Sequence, residues 1–362
     1  MFRFGDSVNV HASVERPLAE RLAAVGYAAM GYWFYRWDWG EAIALDGLLA
    51  ASRALDNPAY TTFAVTEAQR WADEAGTNSD PNPFGPAGVL LDAVEGGLVR
   101  DDSAALDCLR RYAENVRVAG SRVGALAHQD GATTGFVDSL YGMPELLARL
   151  GRRLETPAMV DDAVALSLGH CRLLQSERSG LFAHFAEFDG ADGARIAWGR
   201  GNGWAVLGLS DLVLAVAPET PGADELTQRF VAMLDGLRAT QEPGGWWRNI
   251  LDDPASYPEA STSLMVVAAV TQAVRSGRVD ARYLTMADAA WSSLEHRVDA
   301  NGHVAGVSYR PGLNADPARY EHTPLVGAYP WGQGPYLRAA CQRLDDTAAP
   351  TRAEGEGASC SP

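Results

Sequence analysis

The residues best equipped for chemistry are gathered in one heptapeptide, Trp198-Gly199-Arg200-Gly201-Asn202-Gly203-Trp204. Two indoles, a fixed positive charge and an amide stand among three glycines, so apolar surface and anion-binding donors share one short length of backbone. Indole faces suit the C–H face of a pyranose, and a guanidinium fork matches a carboxylate bidentately. A sugar acid wants both. The glycines would allow close backbone approach and a sharp turn just before the apolar run Ala205-Val206-Leu207-Gly208-Leu209. The same residues also fit a tight turn whose tryptophans simply fill core.

Helices must position this cluster, because apolar residues recur at three and four along most of the chain, as in Leu45, Leu48, Leu49 and Leu140, Leu146, Leu147, Leu150. Few segments alternate as strands do. The segments pair, an alanine- and leucine-rich helix followed by a more polar amphipathic one: Glu41–Leu55 with Pro58–Ala72, Pro86–Glu95 with Ser103–Val116, Asp138–Leu150 with Pro157–Leu174. Trp204–Val216 with Asp224–Thr240 and Ser261–Arg275 with Ala281–Val298 continue the series, and Gly334–Leu344 would close it with a helix near Arg16–Met30. Six such pairs predict an all-α (α/α)6 toroid over residues 1–344, followed by a small, polar, disordered tail over 345–362. An open solenoid predicts the same pairs. The closed ring is favoured because Trp33, Trp37, Trp39, Trp198, Trp204, Trp246, Trp247 and Trp331 all precede inner helices, which would gather them at one end with the active site.

Composition narrows the partners. Thirty Lys+Arg against forty-six Asp+Glu give a net charge of −16, with no basic stripe, so neither nucleic acid nor an anionic membrane surface is expected. A cleft can still be locally positive, so an acidic sugar stays possible. The cysteines, Cys108, Cys171, Cys341 and Cys360, form no CxxC pair and read as thiols in a reducing cytoplasm. The first residues lack a signal-peptide apolar core, and no stretch approaches the ~18 apolar residues of a membrane span. A cytoplasmic protein is expected, of undetermined oligomeric state.

Five short stretches, in order, resemble the unsaturated rhamnogalacturonyl hydrolases of glycoside hydrolase family 105 and, more distantly, the unsaturated glucuronyl hydrolases of family 88. They are Trp37-Asp38-Trp39-Gly40-Glu41, Phe136-Val137-Asp138-Ser139-Leu140, Gly180-Leu181-Phe182-Ala183-His184, the heptapeptide, and Tyr329-Pro330-Trp331-Gly332-Gln333-Gly334. The resemblance implies removal of a terminal 4,5-unsaturated uronic acid by hydration of its double bond, with no cofactor. Asp138 matches the catalytic aspartate; partial burial would raise its pKa and keep it protonated near neutral pH. An Asp ahead of an apolar helix also fits a simple N-cap. Arg200 is the expected carboxylate clamp, with His184 and Asn202 as hydrogen-bond donors and Trp198, Trp204 and Trp39 as apolar walls. His184 alone reads more readily as a core histidine, and its position before the heptapeptide is what raises it to a site residue. His128 stands where the family can carry a basic residue and would add positive potential. Where the family often places a second acid, the register puts Asn82, with Asp80 just upstream.

Other chemistries fit less well. No HxH, HExxH or paired Cys/His spacing suggests a metal, and no Gly-rich phosphate loop follows a strand. A conventional inverting glycosidase remains open, with Asp138 opposite Glu259 or Asp38, as do a histidine-based epimerase and a non-catalytic carbohydrate-binding toroid.

Overall fold

The structure, a computed structural model, describes residues 16–35, 37–77, 85–99, 102–129, 131–190, 195–312, 316–325 and 327–348. Helix follows helix: α1 (Leu18–Met30), α2 (Trp39–Leu55), α3 (Pro58–Thr77), α4 (Ala87–Glu95), α5 (Asp102–Val123), α6 (Met143–Arg153) and α7 (Pro157–Leu174). Then come α8 (Gly199–Ala215), α9 (Ala223–Thr240), α10 (Ala260–Arg275), α11 (Leu284–Leu294), the short α12 (Pro317–Glu321) and α13 (Pro330–Ala348). The last helix therefore runs past Leu344, and residues 349–362 lie outside the described ones.

Contacts between elements settle ring against solenoid. The inner helices α2, α4, α6, α8, α10 and α13 each touch the next, and α13 packs extensively back on α2. Each inner helix also packs on an outer partner: α3, α5, α7, α9, α11 and, for α13, α1. The ring is closed, an (α/α)6 toroid. Burial follows the expected division. Nearly every residue of α8 and α10 is buried, whereas α5 has an exposed polar face. Glycine sets the tightest approaches: a Cβ on Gly334 would lie 2.3 Å from the Ile43 carbonyl oxygen of α2.

Two boundaries differ from the sequence reading, both at the site. The helix expected from Asp138 begins only at Met143, and Val137–Leu140 forms a separate 3-10 turn. The heptapeptide is no turn ahead of a helix. Gly199 to Trp204 are the opening residues of α8, with Trp198 at the N-cap, and none of the three glycines has positive φ. Two small antiparallel ribbons complete the fold: β1 (Thr134–Phe136) on β2 (Phe185–Glu187), and β3 (Trp247–Arg248) on β4 (Pro258–Glu259).

Candidate active site

Backbone pairing brings the distant stretches together. β1 lies on β2 with Gly135 opposite Ala186, and the ladder extends through Val137 N–H to the His184 carbonyl at 2.9 Å. Asp138 therefore leaves the ribbon beside His184. The 3-10 turn it rides on then lies flat against α8, where two glycines make room. A Cβ on Gly201 would stand 2.7 Å from a Val137 methyl, and one on Gly208 would stand 1.9 Å from the Leu140 carbonyl oxygen. The glycines of α8 thus serve close packing beneath the Asp138 turn, not chain reversal.

A cavity of about 350 Å³ opens there, at the end of the ring where the inner helices begin. Asp138, His184, Trp198, Arg200 and Trp204 line it, as do Trp39 and His128. Asp138 is 6% exposed, and its Oδ2 has no hydrogen-bond partner among the described residues. Burial pushes its pKa up to about 7, against a backbone hydrogen bond and the Arg200 and Arg310 charges, which pull it down, while Asp38 adds to the rise. The N-cap reading fails, since the α6 N-cap is Gly142 and Asp138 makes no cap bond. His184 Nε2 is 3.6 Å from Asp138 Oδ2, and its Nδ1 is 2.5 Å from the buried Tyr320 hydroxyl. Burial, with Arg200 nearby, holds the His184 pKa down to about 3, so the ring is neutral. His128 sits against Phe136 and is likewise depressed by burial, so it brings no positive charge at neutral pH.

The heptapeptide divides into walls and supports. Trp198 and Trp204 are walls, Trp204 resting on Tyr141 at 5.1 Å. Arg200 is 2% exposed and much of its fork is spent internally. Nη1 donates to the carbonyl and hydroxyl of Ser308, Nη2 to the Tyr309 carbonyl, all at 2.8 Å. Glu259 lies 3.5 Å from it, itself fully buried and held by Ser261, Thr262 and Ser308. A free bidentate clamp is not what Arg200 offers. It lends the cavity positive charge, one edge, and a brace for the 308–309 backbone. Asn202 is fully buried and outside the lining. It donates to the Phe182 and Trp198 carbonyls and accepts from Phe182 N–H, so it fastens loop to helix. Glu259, so bound, is also unavailable as a second carboxylate.

The long connection between α11 and α13 supplies a residue that the sequence reading missed. Arg310 lines the cavity with its side chain 33% exposed, stacked over Trp331 at 4.7 Å and paired with Asp38. Asp38 is fixed in turn, its Oδ1 capping α2 through Gly40 N–H at 3.0 Å. No motif announced Arg310, which lies in an irregular stretch of the connection. Tyr329 stacks on Trp331 at 4.7 Å, and the half-exposed Tyr309 stands 5.6 Å beyond, an aromatic shelf leading outward.

The tryptophan argument holds for half its members. Trp39, Trp198, Trp204 and Trp331 face the cavity, whereas Trp247 is core, donating to the Leu237 carbonyl, and Trp33 is exposed. Asn82 and Asp80 lie outside the described residues. A second, smaller cavity behind Trp39 holds Asp46, Asp92, Glu145, Arg149, Asp211 and Arg338, whose charges pair with one another. Among the described residues no group of three or more His, Cys, Asp or Glu is placed to hold a metal, and no helix is long and apolar enough to cross a membrane.

The chain resembles known proteins in sequence and in fold. The sequence profile described as Glycosyl Hydrolase Family 88 matches residues 28–346. The unsaturated rhamnogalacturonyl hydrolase YesR of Bacillus subtilis is 27% identical over 311 residues, 83% of this chain and 87% of that relative. An unsaturated 3S-rhamnoglycuronyl hydrolase of Alteromonas sp. is 25% identical over 58% of this chain and 51% of its own length. A crystal structure from Salmonella enterica, described as a possible member of the GH105 family, superposes with a TM-score of 0.80 at 21% identity, covering 96% of this chain and all of that one.

Proposed function

The chain belongs to Glycosyl Hydrolase Family 88, and from that membership we propose that it removes a terminal 4,5-unsaturated uronic acid from lyase-generated oligosaccharides by hydrating the C4=C5 double bond. The observation that carries this reading is Asp138: a buried carboxyl lining a tryptophan-walled cavity, its Oδ2 without a hydrogen-bond partner among the described residues, and protonated up to about pH 7. A carboxylic acid in that state can give its proton to C4 of an enol ether. The π electrons form the new C4–H bond, and the cation left at C5 is shared with the ring oxygen. Asp138, now a carboxylate, accepts a proton from the water whose oxygen bonds C5. The hemiketal opens by breaking the C5–ring oxygen bond, and the resulting C1 hemiacetal expels the sugar beneath. One water is consumed and Asp138 ends protonated.

Charge recognition falls to Arg310, exposed to the cavity, with Arg200 as the buried cation behind it; both stabilise the Asp138 carboxylate formed midway. His184 supplies a neutral ring next to Asp138, and Trp39, Trp198, Trp204 and Trp331 enclose the unsaturated ring. The Tyr329–Tyr309 shelf supports an apolar-faced sugar beneath it. Both named relatives act on rhamno-type substrates by their names, so rhamnose is the sugar we place there. Buried thiols at Cys108, Cys171 and Cys341, outside any disulfide, support a cytoplasmic location.

The test is direct. Lyase products of rhamnogalacturonan, ulvan and glycosaminoglycans are incubated with the protein while the ultraviolet absorbance of the conjugated ene-carboxylate is followed. Loss of absorbance on the rhamnose-containing products is expected. New reducing ends from saturated glycans, with absorbance unchanged, would instead mark a conventional glycosidase, and binding without turnover a silent toroid.

A further inference from the structure

Behind His184, out of reach of the cavity, stands a tyrosine that the reaction as described does not use. Tyr320 is fully buried on the short helix α12, in a small apolar cluster with Ile196, Trp198 and Ile250. Its backbone carbonyl is held by Asn249 Nδ2 at 2.8 Å and by the Tyr257 hydroxyl at 3.4 Å. Its hydroxyl meets His184 Nδ1 at 2.5 Å, and the opposite ring nitrogen faces Asp138 Oδ2 at 3.6 Å. The three side chains form a line from apolar core to catalytic cavity.

Hydrogen-bond accounting gives that line a direction. The tyrosyl proton is buried among apolar side chains, with His184 Nδ1 as the acceptor beside it. If the ring carried its proton on Nδ1 and donated to the tyrosine, the phenolic O–H would lose that acceptor, a cost of ~1–3 kcal/mol. If the tyrosine donates, both groups are satisfied and the ring proton sits on Nε2, aimed at Asp138. We propose that Tyr320 is a positioning residue for the hydration step, its hydroxyl holding His184 in the tautomer whose Nε2–H faces the Asp138 carboxylate. This rests on the function proposed above. The N–H contributes little while Asp138 is protonated and donates to the carboxylate once the proton has moved to C4. His184 itself neither gains nor loses a proton.

Other groups face Asp138 as well: Arg200 from α8, Arg310 from the connection ahead of α12, Asp38 at the head of α2, and neutral His128 from the approach to β1. None touches the tyrosine hydroxyl in the way His184 does. Removing that hydroxyl therefore acts through one ring. Tyr320→Phe frees His184 to adopt the other tautomer, whose bare Nε2 accepts from protonated Asp138 and favours the acid form. We expect kcat to fall about tenfold, the rate equivalent of one lost hydrogen bond, KM to stay within about twofold, and the alkaline limb of the pH profile to move upward.

Two measurements decide it. In ¹⁵N-histidine-labelled protein, with the His184 signals assigned by their loss in His184→Gln, the ring should be the Nε2–H tautomer in the wild type and a mixture in Tyr320→Phe. A wild-type Nδ1–H ring overturns the proposal, and needs no turnover to do so. In a double-mutant cycle, Tyr320→Phe should have little further effect on kcat in the His184→Gln background. An undiminished tenfold loss there, or a single variant with normal kcat and an unmoved limb, also overturns it. Failure of the wild type to consume unsaturated oligosaccharides would count against the function reading instead, leaving the tautomer result to judge Tyr320.

Discussion

Replacing Asp138 with asparagine should cost the protein its activity and make it more stable, but only above a particular pH. Well below the ordinary carboxyl value of 3.8 the group is protonated in both folded and unfolded chains, so the swap is nearly isosteric and neutral. As pH rises through the ordinary carboxyl value of 3.8, the unfolded chain releases its proton while the folded chain holds on until about pH 7. Folding is progressively disfavoured across that window, and the penalty is constant above it. The gap between 3.8 and about 7, at about 1.4 kcal/mol per pH unit, sets a ceiling of about 4 kcal/mol. Water entry and side-chain relaxation reduce it, so a gain of roughly 2–4 kcal/mol is expected for Asp138→Asn at pH 8. At roughly 2 °C per kcal/mol for a large domain, that is about 4–8 °C in melting temperature. The assay is a melt of both proteins at pH 4.5, 6 and 8 at a common scan rate, alongside turnover, which should drop by at least ~10²-fold. A variant that melts below the wild type at pH 8, or shows the same advantage at pH 4.5, would refute a buried neutral acid at this position.

The wild-type kcat should be level below about pH 6 and fall about tenfold per unit above pH 7, because the proton donor is the acid form; a rate still climbing at pH 8 would exclude Asp138 in that role. Arg310→Ala should raise KM about 10–100-fold, the worth of a charge-assisted hydrogen bond, and lower the melting temperature because the mostly buried Asp38 loses its ion-pair partner; a normal KM in steady-state kinetics would remove Arg310 from substrate recognition. Arg200→Ala should instead destabilise by ~3–5 kcal/mol, because it strands the buried Glu259 charge; a denaturant titration showing full stability and only a raised KM would return the clamp to Arg200. Gly208→Ala forces a methyl against the Leu140 carbonyl beneath the Asp138 turn, so kcat should fall together with a stability loss of ~1–3 kcal/mol, and normal values of both would show the turn is not seated there.

Helix pairing was legible in the sequence because the period of apolar residues is a local property, and inner helices such as α8 and α10 are apolar on nearly every side. The motif stretches were legible too, and four of the tryptophans before inner helices do wall the cavity. What escaped was the use of each polar group. Asn202 and Arg200 have the chemistry of ligand donors, yet which carbonyls already occupy their N–H groups depends on where Phe182, Ser308 and Tyr309 arrive. Tyr320 and Arg310 sit in an irregular connection with no periodicity to read, and both enter the site only through ring closure.

The repeating hairpins, the all-helical class and the apolar, aromatic character of one end follow from short-range pattern along the chain. The tertiary structure alone decided that the ring closes, with α13 on α2. It alone decided that Asp138 is buried without a partner for Oδ2, and that Arg310 and not Arg200 faces outward to the cavity. The physical reason is that a carboxyl's pKa and a guanidinium's free donors are set by dielectric and neighbours, which come from residues as much as 172 positions away, as Arg310 does from Asp138.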